Sequence, residues 1–475
     1  MHHGAVATFA VPAGGVGYYP LLAQQISERI CAAPRYRQKL RRVPGGFANQ
    51  TWVDDPDFDL GNHVRHSALP QPGSDAQLCE LVARIQSRQL DHSRPLWELH
   101  VVHGLSDNRF ALITKIHHAM ADGDRGLDIA RLFFDSAPTV PPKPAPTAAA
   151  GRAPSPWRRV AEAALDLTHR PTAALAALSS DRAGGQTATA NALWRVRGWY
   201  AAARTLLRPA PDSPLNTTIG TPRRYATAGT RLADYQRVRQ AHGVTINDVV
   251  LATVTGALRG WLQQRGEPVP PTASLRVMMP VNVRTEQQVD TLGKNVSASF
   301  VDLPLGEADP LRRLGEICDR MQRHNNAGPS AQTDVLIRLA SLLPPPLRTR
   351  GASLAGGLSR RLFNVVVTNV AGPQIPLDVA GARMRTLHPV APLATGQALS
   401  IGLISYNGGI FYGLNADRDS TPDLDRLAAF ITQSLQELID TVPRLAHRDI
   451  HIPGVSPRLA DPDGTGPVEP SGRVA

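Results

Sequence analysis

Between about Ser136 and Leu215 the chain changes character, and this change limits the available folds more than any other feature. The stretch opens with Pro138-Thr-Val-Pro-Pro-Lys-Pro-Ala-Pro and closes with Pro209-Ala-Pro-Asp-Ser-Pro. Each proline fixes φ and removes a backbone donor, so no continuous strand or helix passes through either end. On both sides the pattern alternates between strand-like and helix-like runs. The expected fold class is therefore α/β (α+β), with one unit over residues 1–135 and a second over 216–450. Residues 136–215 form a Pro/Ala-rich helical linker in this reading, and 451–475 a flexible tail. A length of 475 residues suits two or three units at roughly 150 residues per domain. Two halves of similar secondary-structure content are compatible with a duplicated fold.

Within the linker, Trp157 to Leu167 and Ala192 to Leu207 are rich in Ala, Arg and Leu, and helices are expected there. Trp157, Trp194, Trp199 and Tyr200 lie among arginines, a composition that suits either packing anchors or an interfacial helix. The formal charge of +11 favours polyanions: nucleic acid, anionic head groups or cofactor phosphates. No zinc-finger spacing, basic heptad or aromatic RNA motif accompanies it, so no nucleic-acid partner is expected. Cys31, Cys79 and Cys318 form no C-x-x-C pair, which points away from a disulfide framework and a zinc site. The sequence has neither a signal-peptide pattern nor about 18 consecutive apolar residues. A cytoplasmic protein, soluble or peripheral to the inner membrane face or lipid inclusions, is the expectation.

The first half contains the most informative strand. In Arg109 to His118, the residues Phe110, Leu112, Thr114, Ile116 and His118 share one face by alternation, and His117 points to the other. The motif continues as Ala119-Met120-Ala121-Asp122-Gly123, in which Gly123 offers a turn before the helical spacing of Leu127, Ala130, Phe133 and Phe134. Other predicted elements here are Ala5 to Phe9, Leu78 to Arg88 and Leu99 to Val102.

The second half carries a predicted helix from Asn247 to Arg265 with the stripe Val250, Val254, Ala257, Leu258 and Trp261. Asn247 opens it, and an asparagine there reads first as an N-cap. Strands are expected at Leu275 to Pro280, Ser297 to Leu303 and Asn364 to Val370. Leu399 to Tyr406 and Ile410 to Asn415 flank Asn407-Gly408-Gly409, a hairpin signal because Asn-Gly tolerates positive φ.

A histidine at a strand end is suited to general-base chemistry, because its ordinary pKa near 6.5 leaves it largely neutral at pH 7. His118 is the candidate base, His117 a supporting residue, Asp122 an orienting residue and Gly123 the turn. A metal site is disfavoured because adjacent strand residues diverge and no third histidine follows at ligand spacing. No Gly-x-Ser-x-Gly elbow occurs, so direct transfer without an acyl-enzyme is the simpler scheme.

Further motifs surround the histidine pair. They include Phe58-Asp59-Leu60, His63-Val64-Arg65, Leu90-Asp91-His92-Ser93-Arg94-Pro95-Leu96-Trp97-Glu98 and Pro214-Leu215-Asn216. Asn247-Asp248-Val249-Val250, Pro280-Val281-Asn282-Val283-Arg284, Gly293-Lys294-Asn295 and Thr368-Asn369-Val370-Ala371-Gly372-Pro373 follow. In these motifs the chain resembles the bacterial wax ester synthase / diacylglycerol acyltransferase family, within the chloramphenicol-acetyltransferase-like superfamily. The resemblance spans roughly Met1 to Asp440, with His92 standing where Arg is commoner. Members usually carry a short segment before their Met-His-x-Gly region, and the sequence here opens directly on Met1-His2-His3-Gly4.

The resemblance implies two chloramphenicol-acetyltransferase-like domains with a channel between them. It also implies fatty acyl-CoA as co-substrate, no permanently bound cofactor, and diacylglycerol or a long-chain alcohol as acceptor. It makes Asn247, Asn282, Arg284 and Asn295 substrate-binding candidates, with Arg284 also a candidate partner for Asp122. Pro95-Leu96-Trp97 reads as structural. Two other readings keep the fold: a non-catalytic lipid-binding or lipid-droplet scaffold, and a condensation-type acyltransferase.

Overall fold

The computed structural model describes residues 2–12, 18–41, 51–120, 209–282, 296–326 and 359–443. The first half contains strands β1 (His2–Ala10), β2 (Gln38–Arg41), β3 (Thr51–Asp54), β4 (Val64–Ala68), β5 (Trp97–Leu105) and β6 (Arg109–His117). Helices α1 (Tyr18–Ala32) and α2 (Asp75–Ser87) lie among them. The second half begins with β7 (Arg223–Arg231), α3 (Leu232–His242), α4 (Ile246–Gln264), β8 (Leu275–Asn282), β9 (Val296–Leu303) and α5 (Pro310–Asn326). It ends with β10 (Val365–Ala371), β11 (Asp378–Val379), β12 (Ala382–Val390), β13 (Leu399–Tyr406), β14 (Gly409–Asp417) and α6 (Leu424–Asp440). Residues 136–208 of the expected linker and the tail at 451–475 lie outside the described residues.

Two six-stranded sheets organise these elements, in the orders β11-β12-β1-β6-β5-β4 and β7-β14-β13-β10-β8-β9. The first sheet thus takes β11 and β12 from the second half of the sequence. β1 lies between β12 and β6, antiparallel to both, with His2 opposite His117 and His3 opposite Ile116. The second sheet is mixed: β10 runs parallel to β13 and β8, and the remaining pairs are antiparallel.

The alternation of β6 divides its residues between two cores. Phe110, Leu112 and Ile116 join Phe9, Leu99 and Trp97 on one face, whereas Ala111 and Ile113 join Val82 and Ile85 of α2 on the other. The two halves meet where α2 packs on β7, and there Arg223 N donates to Ser87 Oγ at 2.9 Å. The two sheets also meet where Tyr225 Oη of β7 donates to Pro389 O of β12 at 3.1 Å. Gly413 allows this approach, since a Cβ there would lie 1.8 Å from Pro389 O.

Helix α4 is buried on more than its expected stripe. Val249, Leu251, Ala252, Thr253 and Thr255 are as inaccessible as Val250, Val254, Ala257, Leu258 and Trp261, so the helix runs through the second core. Thr253 and Thr255 manage this by donating their hydroxyls to Val249 O and Leu251 O. The Asn-Gly turn forms as its chemistry requires, with φ of 42° at Asn407 and 78° at Gly408. β10 starts one residue later than expected because the Asn364 side chain accepts from Arg276 N at 2.7 Å and donates to Pro211 O and Asn216 Oδ1.

Candidate active site

β6 carries the histidine pair to the edge of its sheet. His117 N makes a last ladder-like bond to Leu96 O at 2.9 Å, after which the chain tightens into a 3₁₀ turn over His118–Met120. The strand therefore ends at His117, one residue before the expected end. Ala119 N donates to His117 Nδ1 at 3.2 Å, so the first histidine's ring fastens the turn that carries the second. Asp122 and Gly123 lie outside the described residues, as do Arg284 and Asn295.

The two rings occupy different surroundings. His118 is exposed, with its ring edge-on to His3 of β1 at 5.9 Å between centroids. His117 is half-buried and lies edge-on to His2 at 5.6 Å and to His92 at 5.5 Å. Desolvation lowers the His118 pKa below the ordinary histidine value, which favours the neutral imidazole a general base needs. Burial takes His117 and His3 down to about 4 and His2 to about 3. Both ring nitrogens of His3 are buried without a hydrogen-bond partner among the described residues.

Behind His117 stands Lys115, which is fully buried. Its Nζ donates to Ile85 O at 2.8 Å and Arg88 O at 2.6 Å, satisfying carbonyls at the C-terminal end of α2. Removing this cation from water would be costly without such partners, and burial takes its pKa down to about 8. The lysine holds Gln86 to Arg88 beside His117, with a cavity of about 370 Å³ between them.

Of the second-half candidates, Asn247 is the one whose side chain is described, and it lies in a different cavity from His117. Thr245, not Asn247, caps α4: its hydroxyl accepts from Asp248 N at 3.2 Å, while Asp248 Oδ2 accepts from Thr245 N at 2.9 Å. This reciprocal capping box corrects the N-cap reading of Asn247, which sits two residues inside the helix start. Its Oδ1 accepts from Asn369 Nδ2 at 3.2 Å, and both asparagines line a cavity of about 550 Å³. Ser299 and His324 pair across the same cavity through their Oγ and Nε2 atoms. Asn282 closes β8 opposite Val296 in the register. Among the described residues, no hydrogen bond joins Asn247 to His118.

Alternation and spacing did not mark His2, His3, His92, Gln86 and Lys115 as neighbours of the pair. Gly4 was the available signal: a Cβ there would lie 1.9 Å from Thr114 O, so β1 presses close to β6 just where His3 and His118 meet. Trp97 is 2% exposed and donates Nε1 to Tyr36 O at 2.8 Å while stacking on His63, which makes it a packing residue. The described residues contain no group of three or more His, Cys, Asp or Glu side chains able to hold a metal ion. No described helix is long and apolar enough to cross a membrane.

With this geometry in view, the wax ester synthase/diacylglycerol acyltransferase catalytic domain profile matches residues 1–250. The corresponding C-terminal domain matches residues 292–439. The chain belongs to this family. It is an acyltransferase; the histidine pair and Asn247 lie within the catalytic-domain match, whereas Asn282 and Arg284 fall between the two matched regions. It is 35% identical over 436 residues to a probable diacylglycerol O-acyltransferase, tgs1, of Mycobacterium tuberculosis, covering 92% of this chain and 91% of that one. It is 33% identical over 459 residues to tgs2 of the same species, covering 93% and 95%. The wax ester synthase/diacylglycerol acyltransferase of Marinobacter aquaeolei has a solved structure that superposes with a TM-score of 0.64 at 28% identity, covering 92% of this chain and 94% of that one. A condensation domain of the calcium-dependent antibiotic synthetase shares the fold, with a TM-score of 0.53 at 15% identity over 93% and 92% of the chains.

Proposed function

We propose that this chain transfers the acyl group of a fatty acyl-CoA to the hydroxyl of diacylglycerol or a long-chain alcohol, with His118 as general base. The observation that carries the reading is the state of His118 in a chain of this family: a strand-end imidazole, open to solvent and biased toward its neutral form. His118 takes the acceptor's hydroxyl proton as the oxygen attacks the thioester carbonyl. The carbon–sulfur bond then breaks, and the imidazolium returns the proton to the departing thiolate. General-base assistance contributes roughly 10²- to 10⁴-fold, and alignment of the two substrates adds to it.

His117 supports this base by holding its turn. Asp122 orients the loop in a salt bridge for which Arg284 is the candidate partner, and Gly123 turns the chain. Asn247, held by Asn369, shapes the substrate site, to which Asn282, Arg284 and Asn295 also belong. No bound cofactor enters the scheme; acyl-CoA is consumed as co-substrate. The acceptors reside in lipid, and the net charge of +11 with a tryptophan-bearing linker supports work at the inner membrane face or at lipid inclusions. Sedimentation with anionic liposomes at low salt is expected; failure to sediment would remove that location.

Purified protein given labelled acyl-CoA with diacylglycerol, with a long-chain alcohol or with neither tests the reaction. Labelled triacylglycerol or wax ester should appear only with the matching acceptor. Release of CoA without any acceptor, and no ester with one, would make the protein a thioesterase. No turnover at all, with lipid still bound, would favour the scaffold reading.

A further inference from the structure

The seam between α2 and β7 is lined differently from the rest of the site. At its inner end the cavity beside His117 is bordered by His2, His92, Arg88, Arg223, Gln86 and Asn415. No carboxylate is among its described lining residues. Gln86 and Asn415, which border it, are only 8% and 4% exposed, and their Nε2 and Oδ1 atoms are buried with no hydrogen-bond partner among the described residues. Buried polar atoms left unpaired cost free energy, so a donor and an acceptor on two residues bordering one cavity point to a polar occupant that their side chains turn to meet.

A second cavity, of about 610 Å³, shares Ser87, Arg88, Thr221 and Arg223 with the first and opens along the outer side of α2. Its walls add Arg84, Arg224 and Arg418, against the carboxylates Glu80 and Asp425. Asp425 is engaged by Arg224 at 3.0 Å, Arg418 lies 3.5 Å from Asp419, and Arg223 is held by Gly220 O at 2.7 Å with Asp417 at 3.8 Å. The guanidinium groups of Arg84 and Arg88, by contrast, have no ion-pair or hydrogen-bond partner among the described residues. Cations near a helix C-terminus are often explained by its exposed carbonyls. Here Lys115 already occupies the carbonyls of Ile85 and Arg88, so the two guanidinium groups have no such task.

We infer that this seam is the donor's groove: the phosphorylated nucleotide end of the thioester donor is bound by Arg84 and Arg88 at the outer cavity, while its thiol arm runs along the inner cavity toward the histidine pair. A guanidinium presents a planar fork of donors that matches phosphate oxygens. The unpaired Gln86 amide and Asn415 carbonyl suit the amide groups of a pantetheine arm, which offers both donors and acceptors. The inference rests on the proposed use of acyl-CoA and adds where on the chain its phosphates are held.

The test pairs Arg84→Gln/Arg88→Gln with the wild type, on the full-length protein. Both side chains are exposed, so the double variant should unfold at the wild-type temperature. Its KM for acyl-CoA should rise about tenfold with kcat nearly unchanged, since charge-assisted bonds to the phosphates are lost and the reacting atoms are untouched. Adenosine 3′,5′-bisphosphate, which has phosphates but no thiol arm, should compete with acyl-CoA in the wild type and about tenfold more weakly in the variant. An unchanged KM in an active variant would overturn the groove while leaving the proposed reaction intact. Inhibition by inorganic phosphate as strong as by the bisphosphate would reduce the site to a general anion site and overturn it too. Should the wild type lack acyl-CoA turnover, the proposed function fails, and calorimetric binding of the bisphosphate to the two proteins still decides the groove: equal binding rejects it.

Discussion

The end of β6 and the start of α4 both present polar residues to cavities, yet they are built in opposite ways. At β6 the backbone order runs out: the ladder stops at His117, a single ring-to-amide bond fastens the turn, and His118 is left exposed against the edge of His3. At α4 a complete capping box closes the helix start, and Asn247 is held by Asn369 above a core helix with no exposed apolar side. A group that must gain and lose a proton benefits from freedom and from a lowered pKa, whereas a group that must hold a shape benefits from fixed partners. The proposed function accordingly puts chemistry at the first region and positioning at the second.

The strongest way to break this contrast is His118→Ala. Turnover should fall at least about a hundredfold with the thermal midpoint unchanged, because an exposed ring is removed without opening a core cavity. Near-wild-type kcat would end the assignment. The pH profile sharpens it next. Desolvation places the His118 pKa below 6.5, so the neutral base persists as pH falls past that value, and the rate drops only as pH passes through the lowered pKa. One unit below that point the rate should be about tenfold down, and residual activity in His118→Ala should lack this acid limb. The pKa of His324, which lines the cavity beside Asn247, is also lowered by burial, so His324→Asn is the control and should keep the limb.

Asn247→Ala should come third. We expect kcat/KM to fall about tenfold, with the same acid limb and no loss of stability, because the cap belongs to Thr245. Thr245→Ala should do the reverse and destabilise the protein by about 1 kcal/mol in denaturant unfolding. If Asn247→Ala were the destabilising change and Thr245→Ala the harmless one, the cap would have been assigned to the wrong residue.

Much of this was legible because it is local. Period-two alternation placed Phe110, Leu112 and Ile116 on one face of β6, Asn407-Gly408 marked the turn between β13 and β14, and the stripe of α4 lies in the core as read. Partnership across the chain was not legible. β1 pairs with β12, nearly four hundred residues away, and alternation reveals a strand's faces but not its neighbour. For the same reason His2, His3 and His92 could not be placed beside His117 and His118. The cap of α4 was misread because Asn247 and Thr245 are both capping types, and only the reciprocal bonds to Asp248 separate them. The burial of Lys115 was not legible either, because it depends on the end of α2 lying across β6.

His117→Ala is the smallest expected effect and the finest probe of the contrast. The ring accepts from Ala119 N, so its removal frees a backbone amide in an exposed turn where water can replace the partner. The global cost should therefore be small, while the 3₁₀ turn loses the bond that aims His118. We expect kcat to fall about threefold to tenfold with the acid limb unmoved, since misplacing a base weakens its approach without changing its proton affinity. His117→Asn, whose carbonyl oxygen can accept from the same amide, should recover much of the loss. A displaced limb in His117→Ala would mean that the first histidine shares the proton with the second, and the pair would then have to be treated as one coupled base.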